Sequence, residues 1–310
     1  MRRLQSSKPL SSLLLLILLG FIWGTGYSIA RFAMTHGVPP LGYSFWQSLG
    51  PAIIIGLLFS CQGKTLPRAP SHLRYYFICG LTGIAIPNTS MYFAASHLPA
   101  DILPMIVNTV PIIAYPLALF VGLESFNWQR MLGVGLAFCG LMFIILPKTS
   151  LPSPDMIPWA LSTLLTPISF AVCSIYIARC RPANSDIFSL TTGMLTASSL
   201  LLIPLVFSTG SFYPLHFPLD MPEGVIILEI VLSSIGYLLL FQLIKIAGPV
   251  YYSLVDTIVV ITGIFWGFVI FHEKLNEWTA TAVCCIVCAL FLVTRQQRAI
   301  AAKQLAMQTG

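Results

Sequence analysis

Ten long stretches of this chain carry almost no Asp, Glu, Lys or Arg, and no soluble fold accommodates that pattern. A helix needs about 20 mostly apolar residues to cross a hydrocarbon layer about 30 Å thick. The stretches at 11–30, 41–60, 75–96, 101–122, 129–147, 157–178, 187–208, 224–246, 249–271 and 278–294 are close to that length. The expected fold class is an all-α membrane protein with ten transmembrane helices. Composition agrees: 57% of the residues are hydrophobic and 8% charged, where a soluble domain carries about a quarter of its residues charged. Pro51, Pro87, Pro104, Pro111, Pro116 and Pro167 fall inside the spans. Membrane helices tolerate them because neighbouring helices and polar side chains satisfy the freed backbone groups.

Basic residues fall between the apolar runs rather than in one patch, so the formal charge of +6 does not point to nucleic acid. With the N-terminus placed in the cytoplasm, Arg2, Arg3, Lys8, Lys64, Arg68, Arg74, Arg130, Arg179, Arg181, Lys245, Arg295, Arg298 and Lys303 lie inside, and only Arg31, Lys148 and Lys274 outside. That asymmetry orients the chain with both termini cytoplasmic in a cell inner (plasma) membrane. The basic start followed by LSSLLLLILLGFIWG has the shape of a signal peptide, yet no clear cleavage motif follows it, and an uncleaved first helix is expected. Cys285-Ile-Val-Cys288 is formally a CxxC but has no second pair or histidine cluster beside it. The eight cysteines read as small apolar packing residues, and neither metal nor cofactor is expected.

The two halves of the sequence echo each other. A shift of 149 lays FVGLESFNWQRMLG over VIFHEKLNEWTATA, placing Glu124 on Glu273 and Asn127 on Asn276. A shift of 148 lays YSIAR, ending at Arg31, beside IYIAR, ending at Arg179. Residues 1–148 and 149–310 are therefore expected to be two copies of a five-helix unit. Five is odd, so the second copy must be inverted, a recurrent plan of secondary transporters.

Trp23-Gly24 in the first helix, Pro111 thirteen residues before Glu124, and Glu124 nine residues before Gly133 carry a resemblance. With these motifs the chain resembles the drug/metabolite transporter superfamily, whose members pair two EamA-like domains. Two departures stand out: the family's second helix often begins with an Arg where this chain has Gln47, and the second copy has Val260 where Pro111 predicts a proline. The resemblance implies transport of a small organic metabolite such as an amino acid, polyamine, nucleoside or drug-like solute, with no enzymatic activity.

A carrier of this plan binds its substrate near the bilayer midplane, at interrupted helices lined with polar groups. Candidates are Trp23, Gly24 and Tyr27 with Gly26 in helix one, Asn88 and Tyr92 after Pro87, and Asn108 before Pro111. Tyr237 and Gln242 in helix eight and Asp256 in helix nine complete the set. Small residues such as Gly24 also serve merely to let helices pack closely. Asp256, seven residues beyond Pro249, reads as the deepest acid, because Glu229 lies only five residues into a helix starting at 224. Asp256 has three open readings: a structural pair with Lys245, a contact for a cationic substrate or a coupling proton, or a hydrogen bond to a hydroxyl. Glu124 and Glu273, on opposite faces, read as caps on the next helix, or each as part of a gating salt bridge. Arg31 and Arg179 read as side chains reaching for lipid head groups.

The expected partners are a small-molecule substrate, the lipid bilayer and possible coupling protons, in a monomer or homodimer. No GxxxxGK[ST] phosphate loop occurs, which excludes a P-loop ATPase. The rivals are a lipid-modifying membrane enzyme, for which His97 with Asp101 is the nearest approach to an active-site pair, and a channel or non-transporting scaffold.

Overall fold

The computed structural model describes residues 7–146, 151, 153–183, 185–247, 255–274, 276–289 and 291–292. All regular structure there is helical. The segments are α1 (Ser7–Thr35), α2 (Pro40–Cys61), α3 (Pro70–Gly80 running through Leu81–Ala85 into Ile86–Ala95) and α4 (Ile102–Phe120). They continue with α5 (Trp128–Ile145), α6 (Pro154–Cys180), α7 (Ile187–Ser208), α8 (Met221–Ala247), α9 (Val255–Phe271) and α10 (Glu277–Ala289). Seven of these described helices, α1, α2 and α4 to α8, are long and apolar enough to cross a bilayer, while α9 and α10 are shorter apolar helices. Large apolar side chains such as Leu14, Leu57, Phe138, Leu200 and Phe268 point outward, while polar groups such as Ser44, Ser48, Thr166, Ser198, Ser234 and Glu229 turn inward. This is the sorting a lipid solvent imposes.

Proline and small polar residues shape the helices that matter most. In α3 the backbone widens to a π turn at Leu81–Ala85, just before Pro87. The carbonyls it loosens are met from α6: Ser169 donates to the Thr82 carbonyl at 2.6 Å and Thr166 to the Pro87 carbonyl at 3.0 Å. The helix α4 breaks at Asn108 and Thr109, before Pro111. Both side chains fold back, Asn108 onto the Pro104 carbonyl at 2.7 Å and Thr109 onto the Ile106 carbonyl at 2.6 Å. Freed backbone groups inside a membrane need such partners.

Helix pairing has a hidden regularity. Helix α1 packs on α8 and α9, and α6 packs on α3 and α4. Similarly α7 packs on α2 and α3, and α2 on α7 and α8. Exchanging each of the first five helices for its counterpart five later maps this pattern onto itself. The two fifth helices begin alike as well: Asn127 accepts from the Gln129 and Arg130 amides, and Asn276 accepts from the Thr279 amide. These asparagines, not Glu124 and Glu273, cap α5 and α10.

Several helices start earlier than expected. Helix α8 begins at Met221 rather than 224, and α3 at Pro70 rather than 75. Proline is accepted in the first helical turn, where its missing N–H is no loss, and Pro222 and Pro70 use that tolerance. Of the eight cysteines, all free, only Cys79 and Cys173 are buried packing residues, while Cys61, Cys139, Cys180, Cys284 and Cys288 are exposed and Cys285 is half-buried.

Candidate functional site

A cavity of about 770 Å³ lies between the two halves. Its walls come from α1, α3, α4 and from α6 to α9, so each of the interrupted helices contributes. Of the residues expected at a substrate site, Trp23, Tyr27, Asn88, Tyr92, Asn108, Tyr237 and Asp256 line it. Asn108 reaches it because α4 breaks there, and Asn88 because it follows the π turn of α3. The Trp23 and Tyr237 rings meet edge-on at 6.4 Å between centroids. Tyr75, Ile177, Arg181, Ile187 and Thr191 line the cavity toward the end where α6 and α7 join. That end also holds Arg68, Arg74 and Arg130 and is called the basic end below.

The opposite end is shut. Ile29, Ala33, Leu98, Ile102, Ile106, Ile226 and Ile286 form one buried apolar cluster across it. Over this layer Arg31 forms an ion pair with Glu273 and lies 4.4 Å from the centre of the Phe271 ring. Glu273 also accepts from the Ala100 amide at 3.1 Å and the Asp101 amide at 3.3 Å, so one carboxylate ties α1, α9 and the start of α4 together. Glu273 thus does cap a helix N-terminus, but that of α4 in the other half rather than the next helix. Arg31 is correspondingly engaged with protein and not with lipid. At the basic end Arg179 donates to the Val121 carbonyl, and Glu124 is taken by Arg130 at 2.8 Å.

Several expected residues lie elsewhere. Gly24 packs against α9, where an added Cβ would come within 2.5 Å of the Thr262 Cβ and 2.8 Å of the Val259 carbonyl. Gln242 is exposed and outside the cavity. The Lys245 side chain lies outside the described residues, and with it the Asp256–Lys245 pair. His97 stacks on Trp159 at 3.7 Å and bonds to Ser96, whereas Asp101 sits at the head of α4, so the pair that an enzyme would need is not assembled.

Of the two acids on the cavity wall, Asp256 was expected and Glu229 was not. Glu229 is 9% exposed and lines the cavity from α8. Because α8 starts at Met221, Glu229 is the ninth residue of its helix, about 12 Å in at about 1.5 Å per residue. An isolated acid within the apolar run VIILEIVL was the available signal, and an expected helix start at 224, three residues late, concealed its depth.

Residues 10–146 and 157–295 each match the EamA-like transporter family, which together is most of the chain. The chain belongs to the EamA-like transporter family. It is a multi-pass membrane transporter of the kind that moves small solutes, as the Trp23-Gly24 and Pro111 to Glu124 motifs implied. Among its relatives is Protein PecM of Dickeya dadantii (strain 3937), 24% identical over 276 residues that cover 88% of each chain. A crystal structure 17% identical in sequence superposes with a TM-score of 0.63 over 93% of this chain and 99% of the other, a likeness of fold alone.

Proposed function

We propose that this EamA-like protein is a secondary carrier of ten transmembrane helices in two inverted five-helix repeats, moving a small organic solute across the inner membrane by alternating access. One observation carries the reading: the cavity between the halves continues to the basic end at Arg181 and Thr191, while the opposite end is closed by the Arg31–Glu273 clamp and the apolar layer beneath it. A channel needs no such one-sided closure. The helix pairing that survives exchange of the halves supports the inverted repeat. The positive-inside asymmetry makes the basic end cytoplasmic, so the molecule is open inward.

Substrate then meets Trp23, Tyr27, Asn88, Tyr92, Asn108, Tyr237 and Asp256. Asp256 stands on the cavity wall as a carboxylate inside a membrane protein, a placement that favours a cationic group or a coupling proton as its partner. Purified protein in proteoliposomes tests the carrier. Uptake of a screened solute should saturate with concentration, and Asp256→Asn should fold normally while losing transport or its pH dependence. Uptake that rises linearly without saturation would mark a channel and end this reading.

A further inference from the structure

Toward the closed end of the cavity stands a group of polar atoms that lack partners. Glu229 Oε1 accepts a hydrogen bond from the Ser233 hydroxyl at 2.9 Å, but Oε2 is buried and accepts none from described residues. The Ser233 hydroxyl is also 3.2 Å from the Gln47 amide oxygen, whose Nε2 is likewise buried and unpartnered. Ser233 has a single proton to give. Turning the Gln47 amide over would let its N–H donate to the Ser233 oxygen, and the serine would then serve Glu229 alone. Even so arranged, Glu229 Oε2 keeps its lone pairs unmatched. The Tyr43 hydroxyl, in a fully buried side chain, is unmatched too.

A carboxylate at this depth is costly unless something positive or a proton sits against it. The groups that face Glu229 are neutral on every helix packed around it. They are Gly26 from α1, Gln47 and Tyr43 from α2, Tyr92 from α3, and Ser233 and Tyr237 on α8 itself. None of the described ion pairs includes Glu229. No described residue supplies the compensating charge, which leaves a group from outside the chain to provide it. A bare metal ion would want several oxygen ligands, and Glu229 offers one free oxygen. The rings of Trp23, Tyr92 and Tyr237 line the same cavity, Trp23 edge-on to Tyr237, and such faces attract an organic cation. An anion would meet Glu229 and Asp256 on the walls of one cavity.

We infer that Glu229 is the anchor of a subsite for a protonated amine: the ammonium group sits against Glu229 Oε2, and the organic body lies along Trp23, Tyr92 and Tyr237. This deepens the carrier reading and rests on it, although binding is separable from flux. The probe is phenethylammonium at pH 7, with uncharged 2-phenylethanol as its neutral counterpart, titrated calorimetrically into the full chain in nanodiscs. The amine should bind at least tenfold tighter than the alcohol. In a Glu229→Gln variant with normal elution and melting, the amine should weaken at least tenfold while the alcohol is unmoved. Should that variant fail to fold, the wild-type chain answers instead: dicyclohexylcarbodiimide modification of Glu229, followed by mass spectrometry, should be slowed by the amine and not by the alcohol.

Equal affinity for amine and alcohol, absence of amine binding, or unchanged amine affinity in folded Glu229→Gln overturns the subsite. So does a Glu229→Gln variant that binds the amine normally and loses only the pH dependence of uptake, which makes Glu229 a proton site. Glu229-dependent binding with no uptake in wild-type proteoliposomes removes the carrier and leaves the subsite. Saturable uptake that is untouched in Glu229→Gln does the reverse.

Discussion

Gly24 and Gly26 stand two residues apart on α1 and do different work. Two residues turn a helix by about 200°, so they point to nearly opposite sides. Gly24 meets the α9 backbone, with the Val259 carbonyl 2.8 Å from where a Cβ would stand. Gly26 lines the cavity, and its Cβ would stand 2.9 Å from Glu229 Oε1, the mobile end of a long side chain. Gly24→Ala should therefore push α1 from α9 and cost about 1–3 kcal/mol, as overpacking does, visible as a lower melting temperature. Gly26→Ala should leave melting within about 0.5 kcal/mol of wild type, because a carboxylate can swing away. Its effect should appear in substrate affinity, and a normal affinity would show that Glu229 is not in contact with substrate. The sequence marks this stretch as special through Trp23, Gly24, Gly26 and Tyr27. It does not say which glycine looks at the cavity, since that depends on which helices lie to either side of α1.

Interrupted helices are partly legible and partly not. Pro87 and Pro111 announce breaks in α3 and α4, and the polar residues beside them, Asn88 and Asn108, do line the cavity. The π turn at Leu81–Ala85 has no such signal, because it depends on donors that α6 supplies from 79 and 87 residues away in sequence. Ser169→Ala tests that dependence. It leaves the Thr82 carbonyl without its partner at 2.6 Å, a loss of about 1 kcal/mol by the scale of interhelical hydrogen bonds in membranes. Reversible unfolding in mixed detergent should show a destabilisation of that size. A variant as stable as wild type would mean that the turn is held by packing alone, for instance by Gly83 against the Cys173 sulfur.

At the scale of the molecule, the sequence repeat foretold more than a common architecture. The pairs Arg31 with Arg179 and Glu124 with Glu273 are equivalent under shifts of 148 and 149, yet only Arg31 and Glu273 are joined. Their counterparts at the basic end stand apart: Arg179 donates to the Val121 carbonyl, and Glu124 is held by Arg130, which has Thr279 as its equivalent in the other half. The sequence could not show which pair is closed, because a carrier of the proposed kind presents the same chain in two conformations. In carriers built from inverted repeats, the two halves exchange conformations as access alternates. The outward-open state should then break Arg31–Glu273 and bring Arg179 to Glu124, releasing Arg130.

Cysteine pairs test this in a background freed of the eight native cysteines, with a short bismaleimide as the bridge. Arg31→Cys with Glu273→Cys should bridge readily and leave a cysteine at Thr191, on the cavity wall toward the basic end, reactive to a soluble maleimide. Arg179→Cys with Glu124→Cys should bridge more slowly, faster with substrate present, and protect Thr191→Cys once bridged. Either bridge alone should reduce flux to background while unbridged controls transport. A cysteine at Phe217, which is 90% exposed at the opposite end, should label from outside the cell, and one at Ser71 from inside, fixing which compartment each gate faces. Flux that continues through either bridge would mean that these charged pairs ornament the ends of the helices and do not gate them.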